Sequence, residues 1–382
     1  MAEKLLKRKK PEYCSKYLST GSTLLDLAIS DTYPGGVQAG RIVHIYGANS
    51  TAKSVLVAEI LGSCQRSAGT AVLADAEYTF DFDRAKLFGL DVGKWSDEEI
   101  RMSCMDKEQA ADDAPKDMMK KRMVAYRDNL RIDKKFACVH PSSVEAFFDI
   151  CVAGAIEAAK DKDINTPICL GVDSMSSIPS ETELKDSLDK STYAMSRAKQ
   201  FSAGFRKYLS AISNSNMSLI VIDQTRDAVG EQYKTHTVSG GNAIKFYSST
   251  SIFLKKATNI KNKYEQNVGI LLKFDIEKNK VSAPHRTGTI RLLFDVGIDD
   301  VGSNLEWLTD KAVADKVDSK VKLSGSWYSF EGEESIKLGQ GLDKACMEIE
   351  ERGMEKMIEQ EVVRVWKILY EPSTRKNRHL ND

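Results

Sequence analysis

The sequence predicts an α/β fold: a mostly parallel, twisted sheet with helices on both faces, followed by a smaller C-terminal α+β unit. Three observations predict it. Short β-branched runs alternate with amphipathic segments through the first half of the chain, the pattern of βαβ units. One such run, Arg41 to Tyr46, leads through a loop into an apolar segment that opens with Lys53-Ser54. Polar side chains close the other strands, at the edge where open parallel sheets bind ligands.

In chain order, Ser19 to Ile29 has turn residues and then an apolar stripe at helical spacing. A loop, SDTYPGGVQAG, leads into the strand Arg41 to Tyr46, whose composition suits burial. Gly47 ends it, and VLVAEILGSC, apolar on nearly every face, reads as a buried helix. A strand, a loop and a helix beginning Lys-Ser is the layout of a phosphate-binding P-loop, where loop and helix N–H groups converge on one anion. Gly47, Ala48, Asn49, Ser50, Thr51, Ala52, Lys53 and Ser54 are the candidate nucleotide-binding residues. Lys53 would reach the β- and γ-phosphates, and the Ser54 hydroxyl would ligate Mg²⁺. The pattern G-x-x-x-x-G-K-[ST] breaks at one letter: Ala52 stands where the second glycine belongs, adding one methyl.

Ala71 to Asp75 is the next strand, running into Asp75-Ala76-Glu77, and FDRAKLFGL is a helix ended by Gly89. Residues 95–135 are highly charged with few large apolar side chains, the texture of a solvent-facing insertion. Phe136 to Val139 resumes the core, and Val144, Phe147, Phe148, Cys151, Ala155 and Ala159 mark one helix face. Ile168 to Ser174 is an apolar strand ending at Asp173, a Walker-B arrangement whose carboxylate organises Mg²⁺ and its water. The polar run SSIPSETELKDSLDKST reads as a long loop. Ala194, Ala198, Phe201, Phe205, Leu209 and Ile212 mark the buried side of the next helix, with Lys199 and Arg206 off that stripe. Ser218 to Asp223 is a buried strand with Gln224 at its end, followed by a second long loop closed by Gly240-Gly241. Strands near 251–256, 268–277 and 289–295 complete the sheet. Beyond Asp299 the pattern turns to helical segments around GSWYSFEGE, a short strand and turn. The expected organisation is a basic N-terminal segment (1–18), a core (19–298) and a small C-terminal domain with a basic tail (299–382).

Composition narrows the function classes. The 382 residues are 42% hydrophobic and 29% charged, the mix of a soluble globular protein. No apolar run approaches the ~18 residues of a membrane span. The first residues lack the apolar core of a signal peptide, so the chain is expected in the cytoplasm. Fifty-five basic residues balance fifty-five acidic ones, so any nucleic-acid contact must come from local patches. The seven cysteines are scattered without CxxC spacing, which argues for reduced thiols and against zinc.

With these residues laid out, the chain resembles the RecA recombinase family, most closely its bacterial and phage members. The likeness runs from about Ser19 to about residue 350, through GRIVHIYG, DAE, GVDS, VIDQTR, GGNAIKFY, EKNK and GSWYSFEGE in family order. It implies a RecA-like P-loop ATPase core using ATP and Mg²⁺, assembling into a helical filament on single-stranded DNA and pairing it with homologous duplex DNA. Single-strand-binding and mediator proteins are further candidate partners. By position, Glu77 matches the carboxylate that activates the attacking water, Asp173 the Walker-B Asp, and Gln224 the γ-phosphate sensor. Lys278 and Lys280 match the pair that reaches a neighbouring subunit's ATP; in a strand both would leave one face. Asp81 and Arg84 match the region that holds the adenine, Arg84 replacing the usual aromatic residue. The loops near 180–193 and 225–240 match the two that line the DNA channel. The DNA-contact candidates are Lys190, Lys199, Arg206, Arg226, Val229, Lys234, Gly240, Gly241 and Asn242. Ala52, the insertion and the basic last residues point to a divergent, phage-type member, in the host cytoplasm if phage-encoded. Two other readings carry Ala52 or the fold alone: a RecA-fold ATPase of another kind (a mediator or helicase-like motor), and a nucleotide-binding relic with little hydrolysis.

Overall fold

In chain order, the main sheet takes its strands from β3 (Ile42–Gly47), β4 (Thr70–Asp75), β5 (Phe136–Val139), β6 (Ile168–Asp173), β7 (Met217–Arg226), β9 (Thr250–Lys261), β10 (Asn267–Asn279), β11 (Thr287–Leu293) and β12 (Gly297–Asp299). Two short strands, β1 (Tyr17–Leu18) and β2 (Val37–Gln38), pair with each other, and β8 (Thr237–Val238) pairs with the end of β7. The spatial order is β12-β11-β10-β9-β3-β7-β6-β4-β5. From β9 to β5 every pairing is parallel, and β10, β11 and β12 add an antiparallel flank. The computed structural model describes residues 17–92, 136–160, 166–185, 193–226, 237–238, 242–332 and 334–371. The expected insertion at 95–135 lies outside them, as do Lys190, Val229, Lys234, Gly240 and Gly241.

The parallel half is buried on both faces, as crossover helices require. All six residues of β3, β4 and β6 are buried. On one face lies the Lys53–Arg66 helix, where Leu56, Val57, Ile60 and Leu61 are fully buried. Burial of each such side chain is worth roughly 1.5–3 kcal/mol. On the other face lies the Tyr193–Asn214 helix, which buries Phe201, Phe205 and Ile212 as its spacing predicts. It crosses the helical stretch that runs from Val144 to Lys160, whose middle turn, Phe147–Val152, is a π-helix. The crossing is close: a Cβ on Gly204 would stand 2.2 Å from the Phe148 ring.

The run after Asp173 is not the plain loop expected from its polarity. Met175–Ser177 forms a 3-10 turn and Glu181–Lys185 a short helix. The cause is local. The Glu183 amide donates to Ser180 Oγ at 3.3 Å, and the Ser180 amide donates to Glu183 Oε2 at 2.7 Å. That reciprocal pair is a capping box, S-x-x-E, legible in the sequence.

The C-terminal unit is also more regular than expected. GSWYSFEGE belongs to a three-stranded antiparallel sheet, β13 (Val321–Ser324), β14 (Trp327–Glu331) and β15 (Ser335–Gln340). The Glu355–Leu369 helix buries Ile358, Val362, Val365 and Trp366, an i, i+4, i+7, i+8 stripe. Trp366 donates its indole N–H to Asp31 at 3.0 Å, and Arg286 pairs with the same carboxylate at 2.9 Å. One apolar cluster runs from Leu24 through the sheet to Trp366, so the C-terminal unit shares the core's interior.

Candidate active site

The strand order brings distant residues to one edge. Gly47 ends β3, Asp75 ends β4, Asp173 ends β6, and Gln224 lies near the end of β7. The spatial sequence β3-β7-β6-β4 makes these neighbours, and Gly47 and Gln224 stand in register. Gly47 has a packing reason to lack a side chain: a Cβ would lie 2.2 Å from the Leu254 carbonyl oxygen of β9.

Between Gly47 and the Lys53–Arg66 helix the loop folds back on itself. Lys53 Nζ donates to the Gly47 and Ala48 carbonyls at 3.1 and 2.8 Å, and Thr51 Oγ1 donates to the Ala48 carbonyl at 2.8 Å. Burial holds the Lys53 ammonium below its usual range, against the pull of Asp173, Glu77 and Asp223. Ala52 is the residue at the helix entrance and adopts the left-handed region at φ 56°. A side chain there costs roughly 1–2 kcal/mol, so the missing glycine appears as backbone strain. Its methyl packs against the main apolar cluster.

Opposite the loop stand the carboxylates. Ser54 Oγ donates to Asp173 Oδ2 at 2.5 Å. Burial raises the Asp173 carboxyl; the Ser54 hydroxyl works against this, and Glu77 and Asp75 reinforce it. Glu77 is held by three donors on one oxygen, Oε1: Ser174 Oγ at 2.6 Å, Ser177 Oγ at 2.9 Å and Gln224 Nε2 at 3.3 Å. The Asp173–Ser174 peptide, which starts this serine-rich turn, is cis. Arg197 braces the turn through the Ser176 carbonyl at 2.8 Å. The cleft enclosed by these groups, about 240 Å³, is lined by residues 49–55 with Glu77, Asp173 and Gln224.

Ser174 and Ser177 were not among the candidates read from sequence. Their signal was the run SMSS directly after the strand-end Asp173, which places hydroxyls beside whatever that strand end faces. Asp81 does not line the cleft; its Oδ1 caps the Phe82–Leu87 helix by accepting from the Arg84 amide at 2.9 Å. Arg84 is exposed and reaches the Phe294 carbonyl at 3.4 Å, beside a ring that is 38% exposed.

Lys278 and Lys280 differ in their surroundings. β10 ends at Asn279, after a register shift between Ile276 and Lys278, and the Lys280 amide extends the ladder by donating to the Ser249 carbonyl at 2.9 Å. Lys278 Nζ donates to the Lys245 and Phe246 carbonyls at 2.6 and 2.8 Å, capping the Asn242–Tyr247 helix. Burial first, then Lys280 and Lys245, hold the Lys278 ammonium low. Lys280 is exposed. Of the DNA-contact candidates, Lys199 and Arg206 lie exposed on the Tyr193–Asn214 helix. Arg226 is the last residue of β7, and Asn242 the first of its helix.

Ser54 and Asp173 supply hard oxygen donors 2.5 Å apart at the mouth of a loop rich in backbone N–H groups, a set that fits a small divalent cation with a phosphate chain. Among the described residues no helix is long and apolar enough to cross a membrane. Compared with known families, residues 4–124 and 124–299 match the RecA N-terminal domain. That match covers more than half of the chain, and with the mixed, mostly parallel sheet and its C-terminal edge it identifies the protein as a member of the RecA family, whose members bind ATP and DNA.

Proposed function

We propose that this protein is an ATP-dependent DNA recombinase: it forms filaments on single-stranded DNA, hydrolyses ATP there, and catalyses homologous pairing and strand exchange. The observation that carries this reading is the convergence of Lys53, Ser54, Glu77, Asp173 and Gln224 on one cleft in a chain of this family. Gly47 to Ser54 would cradle the phosphates, with Lys53 exchanging its loop carbonyls for phosphate oxygens. Ser54 and Asp173 would hold Mg²⁺, which neutralises charge between the β- and γ-phosphates when bound. Glu77 would accept a hydrogen bond from the attacking water; its three donors on Oε1 leave Oε2 for that task. Gln224, bound to Glu77 and two residues from the end of β7, would report the γ-phosphate to the loop beyond. Arg84 and Phe294 would flank the base, a guanidinium and a ring both able to stack.

Lys278 and Lys280 would act on a neighbouring copy's site. Lys280 is exposed and ready to do so, whereas Lys278 must first leave the carbonyls it caps. A cation supplied in trans speeds phosphoryl transfer by roughly 10³–10⁵. Lys199, Arg206, Arg226 and the loops beyond would contact DNA phosphates. Ala52 and the charged insertion favour a divergent, phage-like member. The relic reading rests on Ala52 alone, and the ordered set around Glu77 weighs against it. The test is strand exchange between a circular single strand and a homologous linear duplex with ATP and Mg²⁺. Joint molecules that require homology and ATP support the reading. Filaments on single-stranded DNA that yield no joint molecules refute it.

A further inference from the structure

Central strands covered on both faces are normally near-continuous apolar runs. β3 and β7 break that rule. His44 and Asp223 are both fully buried, with His44 Nε2 2.9 Å from Asp223 Oδ2. Among the described residues, His44 Nδ1 and Asp223 Oδ1 have no hydrogen-bond partner. Such a pair is a poor source of stability, because desolvation offsets its attraction and packed apolar residues would serve as well. Its position suggests another use.

Asp223 directly precedes Gln224, whose Nε2 reaches Glu77, and it stands in register with Tyr46. His44 stacks on Tyr46 with ring centroids 4.7 Å apart and planes 17° from parallel. The Tyr46 ring lies 5.6 Å from Lys245 Nζ. Burial first, and the facing Glu277 carboxylate second, push the Tyr46 phenol up, so it stays neutral, and its hydroxyl has no hydrogen-bond partner among the described residues. Glu277 pairs with Lys245 at 2.5 Å, on the helix whose end Lys278 caps. An unbroken line of contacts thus joins the Gln224 end of β7 to the Lys245–Lys278 corner, through the interior of the sheet. Neither His44 nor Asp223 lines the cleft.

We propose that His44 and Asp223 are positioning residues: a buried joint that passes the state of the Gln224 strand end to the Asn242–Tyr247 helix and the Lys278 it anchors. The proposal deepens the reading of the cleft as an ATP site and rests on it. Side chains alternate along β7, so a Gln224 drawn toward a γ-phosphate moves Asp223 on the opposite face. The hydrogen-bonded and stacked groups then carry the displacement to the corner, since packed contacts shift between discrete arrangements. The helix must move for Lys278 to be released toward a neighbour.

The test is amide hydrogen exchange on the full chain, with and without Mg²⁺ and adenylyl imidodiphosphate. In the wild type, nucleotide should slow exchange across residues 47–54 and change exchange across residues 242–247 by about tenfold, a typical coupling. In His44→Gln and Asp223→Asn the loop should be protected as in the wild type, while the helix responds less than about twofold. Nucleotide-free exchange of β3 and β7 checks that each variant is folded. Should either fail to fold, Glu277→Gln interrupts the same line at a half-buried position and should show the same loss. Equal helix responses in variant and wild type, or none in the wild type despite a protected loop, overturn the proposal. A wild type whose loop is not protected overturns the ATP reading itself, and the proposal with it.

Discussion

Replacing Ser174 by alanine should slow hydrolysis without weakening nucleotide binding. Ser174 is fully buried, and its hydroxyl makes the shortest of the three hydrogen bonds to Glu77, 2.6 Å against 2.9 Å from Ser177 and 3.3 Å from Gln224. A hydrogen bond to a charged group contributes about 1.5–3 kcal/mol. Two donors remain after the substitution, so the low end applies, and about 1.4 kcal/mol corresponds to tenfold in rate. The expected result is a kcat about tenfold lower, with KM for ATP within about twofold, because Ser174 does not line the cleft. Ser177→Ala, which removes a longer and more exposed bond, should cost less, about threefold. Steady-state ATPase assays on folded variants read both constants. A Ser174→Ala kcat within twofold of wild type, or a loss carried entirely by KM, would show that the serine turn does not orient Glu77.

Further outcomes follow from the same geometry. Burial pushes the Asp26 carboxyl up to about 7 and the Asp300 carboxyl up to about 6 from 3.8, so each favours the folded state when protonated. That contribution is present below pH 4 and is lost as pH rises through 6 and 7. Asp26→Asn should therefore flatten the fall in Tm across that window relative to wild type, and parallel Tm–pH curves would contradict the burial argument. Arg206→Ala should reduce the salt slope of single-strand binding by about 0.7 if Arg206 meets one phosphate, and an unchanged slope would remove it from the interface. A Lys53→Ala protein mixed with a Lys278→Ala/Lys280→Ala protein should regain hydrolysis at junctions joining an intact loop to intact trans lysines. Mixed filaments no more active than the sum of their parts would refute the trans role.

Much of this arrangement was legible in the residues. Strand composition marked β3, β4, β5 and β6 to within a residue or two, because strands buried on both faces are apolar runs bounded by turn residues. The convergence of Gly47, Asp173 and Gln224 followed from their place at parallel strand ends, which needs no contact to be known. What escaped were features set by long-range partners. Ser174 and Ser177 gain meaning only when Glu77, about a hundred positions earlier, swings across from β4. The pairing of His44 with Asp223 spans 179 positions, and no periodicity signals it. The carbonyls that Lys278 caps belong to a helix more than thirty positions earlier, so no local pattern signals the contact. The Ser180–Glu183 capping box was readable, and polarity masked it.

The proposed hydrolysis of ATP in a DNA-built assembly is read from the rate of phosphate release with and without single-stranded DNA. The wild type should release phosphate slowly alone and at least tenfold faster with single-stranded DNA. Lys53→Ala should lose nucleotide binding along with turnover, and Glu77→Gln should keep binding while DNA no longer stimulates it. A wild-type rate indifferent to DNA, or a Glu77→Gln rate equal to wild type, would show that this cleft is not a DNA-dependent ATPase site built around Glu77.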